Sequence, residues 1–425
     1  MSRPGTGQIV GSFALGVVLL STSTVLLFGL VAKQPCADGR WSDGRQYRRL
    51  CYSDIVPLYG TEHLQGGRLP FLNACPAETD DHCDEYPVLT MYLMRVGAWI
   101  GTGYGGFFYA NVALLSVLAL LTAWFLYLMA GTRALYLALA PTLLIYAFVN
   151  WDLLAVALAT AATFAYLRDR DAASGALLGL GAAAKFYPGL LVIPFVLGRV
   201  RQRRPAEATQ LVVWSVVAYA GANLPFAVAA PHPWATFFRF NTARPVDWDS
   251  LWFAACQRLH GGTGCAWSPH LIDTLSLVAF AAVAAAVWFL KRAREPDFPR
   301  WTFGLPLIIA FLLTNKVYSP QYGLWLLPWF ALALPDWRLF AAFEAADVAV
   351  FVTRFTWFGR LAATSGDPAF AGFHGAPLGA FELAVAVRAA ALVACLVVWV
   401  LRETEELPAP TTTGSLGMVL SRASR

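Results

Sequence analysis

From Ile9 to Ala32 the chain runs without a charged residue. At about 1.5 Å per residue such a run forms a helix that crosses a hydrocarbon layer with some tilt, and it is too long for the apolar core of a signal peptide. No small-residue cleavage site stands out after it, so it reads as an uncleaved first transmembrane helix. Apolar segments of helical length recur near 104–130, 134–149, 152–167, 173–184, 187–198, 208–229, 271–290, 302–315, 321–335, 338–353 and 378–401. The expected class is an all-α polytopic membrane protein with about 12 transmembrane helices. Composition agrees: of 425 residues, 58% are hydrophobic and 13% charged, a balance outside the soluble range. The net charge of +5 gives no reason to invoke nucleic acid, because cytoplasmic loops of membrane proteins are themselves rich in Lys and Arg.

The same bias orients the chain. Arg168–Asp171 (RDRD), Arg199–Arg204 (RVRQRR) and the KRARE beginning at Lys291 are expected on the cytoplasmic side. The stretch between the first two is too short for two full spans. A hairpin of two short helices broken at Phe186-Tyr187-Pro188 fits, with Lys185 near its tip. Segment 88–101, VLTMYLMRVGAWIG, is short and carries Arg95, so it reads as an interfacial helix rather than a span. The chain then forms one transmembrane domain over 1–405, multi-pass in the plasma membrane with both termini cytoplasmic. Its polar tail, 406–425, has the composition of a disordered segment. Outside lie two large loops, 33–103 and 230–270, and the turns around 150–152, 315–322 and 354–377.

Six of the seven cysteines fall in the loops that charge places outside: Cys36, Cys51, Cys75 and Cys83 in the first, Cys256 and Cys265 in the second. Even numbers of cysteines there read as disulfides of an oxidising compartment. Four cysteines allow three pairings, of which Cys36–Cys51 with Cys75–Cys83 is the most local. A zinc site is the competing reading, and no CxxC spacing supports it.

Sorting polar residues by side gives the main functional signal. Asp54, Glu85, Asp152, Lys185, Arg239, Arg244, Asp247, Asp249, Lys316 and Gln321 all collect at the outer face. Ionisable groups at membrane depth are costly and mark function by default. Lys185 in AAAKFYPG and Lys316 in TNKVYSPQYG are each followed within four residues by a proline; snorkelling to the interface is the plainer alternative for each. With Arg239 and Arg244 of FRFNTARP they suggest an anion held at the bilayer boundary, a lipid phosphate above all. Asp54, in CYSDIVPLYG, has aromatic neighbours and no basic partner close in sequence, which leaves a solvated loop charge and a reactive carboxylate equally open. Asp152 opens a helix, where the dipole favours a carboxylate. Asp247 and Asp249 share a spacing that puts both on one face of an extended segment, and Glu85 precedes Tyr86-Pro87 and is held extended. No GxGxxG after a strand, GxxxxGK[ST], HExxH or GxSxG occurs.

Several of these stretches occur together in one order: Asp54 in the first outer loop, EYP at Glu85–Pro87, NWDLLAVAL from Asn150, AAAKFYPGLL from Ala182, DWDSLW from Asp247 and NKVYSPQYGLWLLPW from Asn315. In this the chain resembles actinobacterial members of glycosyltransferase family 87. These are polytopic GT-C-fold enzymes that include polyprenyl-phosphate-mannose-dependent α-mannosyltransferases of phosphatidylinositol mannoside and lipoglycan synthesis. The resemblance implies interfacial helices in the first outer loop over a cavity open to lipid, and an acid there, matching Asp54, as catalytic base. It implies an extracytoplasmic inverting transfer from a polyprenyl-phosphate sugar to a glycolipid hydroxyl, with no metal and no separate cofactor. Lys185, Lys316, Arg239 and Arg244 are then donor-phosphate candidates. Asp152, Asp247, Asp249, Tyr318, Gln321 and Glu85 are sugar or acceptor candidates. A polyprenyl-phosphate-arabinose donor fits the same architecture. A lipid or sugar transporter, in which Asp54 would gate or couple, is the alternative from another class; long outer loops and charges clustered on one side count against it.

Overall fold

The computed structural model describes residues 6–75, 83–260, 265–405 and 407. Among them there is no β-strand. The first helix, α1 (Thr6–Lys33), is followed by the disulfide-tied first loop. That loop holds the seven-residue α2 (Ile55–Thr61) and leads to α3 (Val88–Ile100), the expected interfacial helix, before α4 (Gly103–Ala130). Thr90 Oγ1 of α3 donates to the Ala184 carbonyl at 2.8 Å, which holds this helix against the tip of the later hairpin.

Next come α5 (Asp152–Leu167) and α6 (Asp171–Ala184). Lys185 is extended, and a short turn, Tyr187–Leu190, with Pro188 in its first positions, hands over to α7 (Val192–Arg201). Proline fits a helix start but not a helix interior, so the hairpin breaks where the sequence expectation put it. Helix α8 (Pro205–Ala229) packs against α6 through Gly175 and Gly179, where a Cβ would collide with the Leu211 and Ser215 carbonyls. Small residues four apart let helix backbones approach closely in lipid.

Among its described residues the loop 230–270, expected outside, contains α9 (Thr236–Ala243) and α10 (Leu251–His260). Then follow α11 (Pro269–Arg294), α12 (Gly304–Thr314), α13 (Trp337–Thr364) and α14 (Leu378–Leu401). The segment from 354 begins as a continuation of α13, not as the expected turn. Its Phe355 stacks on Tyr52 at 5.0 Å and its Trp357 on Phe381 at 5.3 Å, so aromatic packing against the first loop and α14 carries the helix onward.

Five stretches are long and apolar enough to cross a membrane: Gly11–Cys36, Gly103–Ala138, Pro205–Ala229, Pro269–Arg294 and Leu378–Leu401. They turn large apolar side chains outward, Phe13 (74% exposed) and Val228 (73%) among them, a surface that water does not tolerate in such extent. The expected span 338–353 lies within the long but charge-bearing α13; the other expected spans are short or interrupted, and the region 321–335 divides into Pro320–Trp325 and Leu327–Leu332. These broken helices are interior, with Leu326, Leu327 and Phe330 fully buried. Backbone that leaves helical geometry at this depth is tolerated because protein rather than lipid surrounds it.

The three basic segments assigned to one side meet at one end of the bundle: Arg199 pairs with Asp171 at 2.7 Å, and Arg201 with Asp297. Helix α6 rises from Asp171 at that end to Lys185, roughly 20 Å away at 1.5 Å per residue. The disulfides Cys36–Cys51, Cys75–Cys83 and Cys256–Cys265 lie in the two loops assigned to the other side. The tail expected over 406–425 lies outside the described residues apart from Leu407.

Candidate active site

Asp54 is placed by its backbone. The Cys36–Cys51 disulfide fixes the chain just before it, Ser53 Oγ donates to the Phe148 carbonyl at 2.6 Å, and the Asp54 N–H donates to the Val149 carbonyl at 2.8 Å. The first loop is thereby laid across the chain that enters α5. Two residues on, the Asn150 side-chain amide donates to Asp54 Oδ2 at 2.9 Å and to the Tyr86 hydroxyl at 2.8 Å, while its own oxygen accepts from the Trp151 N–H at 2.7 Å. Tyr52 also lies within electrostatic reach of Asp54. Burial holds both phenols well above their ordinary 10, and the neighbouring Asp54 charge adds to it. Neither tyrosine can therefore compete as a base near neutrality.

Lys185 lies over the ring of the same Tyr86. Its Nζ pairs with Asp152 Oδ2 at 3.1 Å, and the fully buried Asp152 takes a second bond from the Trp325 indole at 2.7 Å. The ammonium lies 5.0 Å from the Tyr322 ring centroid and 5.8 Å from that of Tyr86, a distance at which aromatic faces attract a cation. Tyr322 stacks on Trp325 at 4.0 Å and Trp325 on Tyr187 at 4.3 Å, so the cage is rigid. With 15% of its side chain exposed, the lysine remains open to a ligand. Arg244 is the second cation here: its charge reaches both Tyr86 and Tyr322, and it lies 3.9 Å from Asp247. A narrow apolar crevice lined by Val88, Ala182, Ala183, Phe186 and Phe237 ends on Tyr86.

Asp247 and Asp249 occupy an adjoining ionic cluster rather than one open face. Arg354 of α13 pairs with Asp249 and lies 3.6 Å from Asp247. Arg388 of α14 reaches Asp249 at 3.7 Å and Asp347 at 3.1 Å, and its guanidinium covers the buried Tyr318 ring at 3.6 Å. Burial pushes the Asp249 carboxyl up, and the two arginines oppose it. Arg354 also acts electrostatically on Tyr52, which joins this cluster to Asp54.

The remaining expected residues lie elsewhere. Lys316 is buried and pairs with Asp273 at 2.8 Å, also donating to the Thr242 carbonyl at 3.3 Å. Arg239 is exposed and turns back onto the start of its own helix, donating to the His232 carbonyl at 2.8 Å and Thr236 Oγ1 at 2.9 Å. Glu85 gives its backbone N–H to the buried Glu62 at 3.3 Å, and Gln321 is buried in the broken helix. His63, Cys75 and Cys83 bring ligand atoms within 4.8 Å of one another, but the two sulfurs are joined to each other, and zinc requires thiolates.

Residue-level reading missed Asn150, Tyr52, Tyr86, Lys33 and Arg388, and gave Arg354 a place at the outer face but no role. Lys33, at the end of α1, donates to the Tyr52 carbonyl at 2.8 Å and lies within electrostatic reach of Asp54. Arg388 offered a signal, being an arginine inside an apolar run, where a charge is expensive.

The family model of glycosyltransferase family 87 matches residues 85–315, from the EYP motif through the hairpin lysine to Asn315. No curated protein matches the chain. Among solved structures the chain is similar to ArnT from Cupriavidus metallidurans. For the form bound to undecaprenyl phosphate the TM-score is 0.43 at 16% identity, covering 91% of this chain and 77% of that one. The apo form gives the same score and identity over 91% and 76%.

Proposed function

The chain belongs to glycosyltransferase family 87, and from that membership we propose that it transfers a sugar, mannose in the first instance, from a polyprenyl-phosphate donor to a hydroxyl of a glycolipid or lipoglycan acceptor. The observation that carries this reading is a carboxylate and an ammonium gathered around one tyrosine: the Tyr86 hydroxyl shares the Asn150 amide with Asp54, and its ring lies 5.8 Å from Lys185 Nζ. Such a pair suits a single displacement that inverts the anomeric centre. Asp54 takes the proton of the acceptor hydroxyl as its oxygen attacks the anomeric carbon, and the bond from that carbon to the phosphate oxygen breaks.

Negative charge grows on the departing phosphate while the sugar passes through an oxocarbenium-like state. Lys185 and Arg244 take that charge, and fixed cations in a site screened from water do so at little cost in reorganisation. Asp152 holds Lys185 in place from beneath. Lys316 and Arg239, committed to Asp273 and to their own helix, shape the second loop instead. Fixed protein cations supply the countercharge, so the reaction runs without a metal.

The chemistry takes place outside the membrane with both termini in the cytoplasm. Disulfides at the Asp54 end agree with an oxidising compartment, and the basic loops at the opposite end agree with a cytoplasmic one. The test is reconstitution of the purified protein with polyprenyl-phosphate-mannose and a mannosylated lipid. A glycolipid longer by one sugar is the expected product, and its absence across hexose and pentose donors alike would sink the reading.

A further inference from the structure

A cavity of about 540 Å³ lies not at Lys185 but in the first loop, beside α2. Its size is that of a small-molecule site. Its walls combine two aromatic rings, Trp41 and Tyr104, with Pro57, Thr61, His63 and Gln65. Both rings are built in. The Trp41 indole donates to the Cys36 carbonyl at 2.9 Å, inside the stretch closed by the Cys36–Cys51 disulfide. Tyr104 meets Tyr59 edge-on at 5.5 Å. It fits only because two neighbours are glycine: a Cβ on Gly60 would come within 2.6 Å of its hydroxyl, and one on Gly39, which has φ +72°, within 3.0 Å of its ring.

Two routes join this cleft to Asp54. Asp54 has helical dihedrals immediately before α2, so Asp54, Pro57 and Thr61, spaced three and then four apart, fall on one face of the helix. Pro57 and Thr61 line the cleft, and Asp54 therefore stands at its edge. Independently, the Trp41 ring packs on Tyr52 at 5.6 Å, and Tyr52 lies within electrostatic reach of Asp54.

Flat aromatic faces with amide, hydroxyl and imidazole groups around them suit a pyranose, whose C–H face is apolar and whose rim is hydroxyls. The geometry points to this cleft as the seat of the acceptor's hexose chain, with the terminal sugar passing Pro57 to present its hydroxyl to Asp54. The inference rests on the transferase reading for its ligand class and adds a location and specificity residues: Trp41 and Tyr104 as platforms, Thr61 and Gln65 as polar contacts.

The test is saturation-transfer difference NMR on the detergent-purified full chain with α-1,6-mannotriose as probe and no donor present, so that the result does not depend on catalysis. Wild type is expected to bind the trisaccharide and Gln65→Ala to bind it about tenfold more weakly, the loss of roughly one good contact. Thr61→Trp fills the cleft from an exposed position and should abolish binding. No trisaccharide signal from wild type, or equal affinity in wild type and Thr61→Trp, overturns the assignment. A parallel transfer assay separates the two readings. Binding that Thr61→Trp abolishes, with no transfer by wild type, supports the cleft and removes the transferase reading; transfer undiminished in Thr61→Trp does the reverse.

Discussion

The Asn150 side-chain amide donates a 2.9 Å hydrogen bond to the Asp54 carboxylate. This contact joins the first loop to the turn just before α5. Asn150→Asp should therefore place a second carboxylate beside Asp54 and raise the pKa of the pair, since like charges at such a distance cannot both ionise freely. A base must be deprotonated to act, so the acid limb of the kcat/KM profile should move to higher pH, with activity lost near neutrality and partly recovered above it. An unmoved limb would mean that Asp54 does not titrate in catalysis.

Lys185 and Asp152 form a pair whose members cannot be tested singly without ambiguity. Lys185→Ala leaves the buried Asp152 carboxylate unpaired, a change that costs about 3–5 kcal/mol, so lost activity could reflect lost fold. The double variant Lys185→Gln with Asp152→Asn removes both charges. It should melt within a few degrees of wild type yet need a higher donor concentration and turn over more slowly. Donor kinetics equal to wild type in this stable variant would assign the pair to structure alone.

Glu62 gives a pH signature in stability. It is 1% exposed and accepts the Asp84 N–H at 2.7 Å, and burial raises its pKa from 4.5 to about 8. Between those values the folded protein binds the proton that the unfolded chain has released, so stability falls as pH rises through this window and levels off above it. Glu62→Gln keeps a neutral acceptor and should flatten the decline of the melting temperature between pH 5 and 8. Asp84, also raised by burial and opposed by Arg68, contributes in the same direction and remains in the variant. An unchanged slope would remove Glu62 as its source.

The helices were legible because apolar runs and prolines are local signals. Pro188 marks the hairpin break, and Ile9–Ala32 marks α1 with no need of a partner. The site was legible in part. Lys185 stood out as a charge where lipid makes an ionisable group costly and Asp152 as a carboxylate opening a helix, whereas Asp54 stood out mainly through the family resemblance. Asn150 did not, because an amide in the same motif carries no charge; only the crossing of residues 53–54 over 148–150 shows what it does. The sequence spacing of Asp247 and Asp249 suggested one open face. The structure gives them to Arg354 and Arg388, which lie more than 100 residues later, and no local pattern encodes that meeting. Lys316 shows the converse: its sequence environment matches that of Lys185, yet the nearby α11 supplies Asp273 and occupies it.

The central claim is that Asp54 removes the acceptor proton. The most direct measurement compares wild type with Asp54→Asn, an isostere that keeps the loop's shape but cannot accept that proton, in single-turnover transfer from polyprenyl-phosphate-mannose to a mannosylated lipid. The rate should fall by about 10²–10⁴, the range for loss of a general base, while donor affinity and melting temperature stay within error of wild type. Transfer at an undiminished rate by Asp54→Asn would contradict the account.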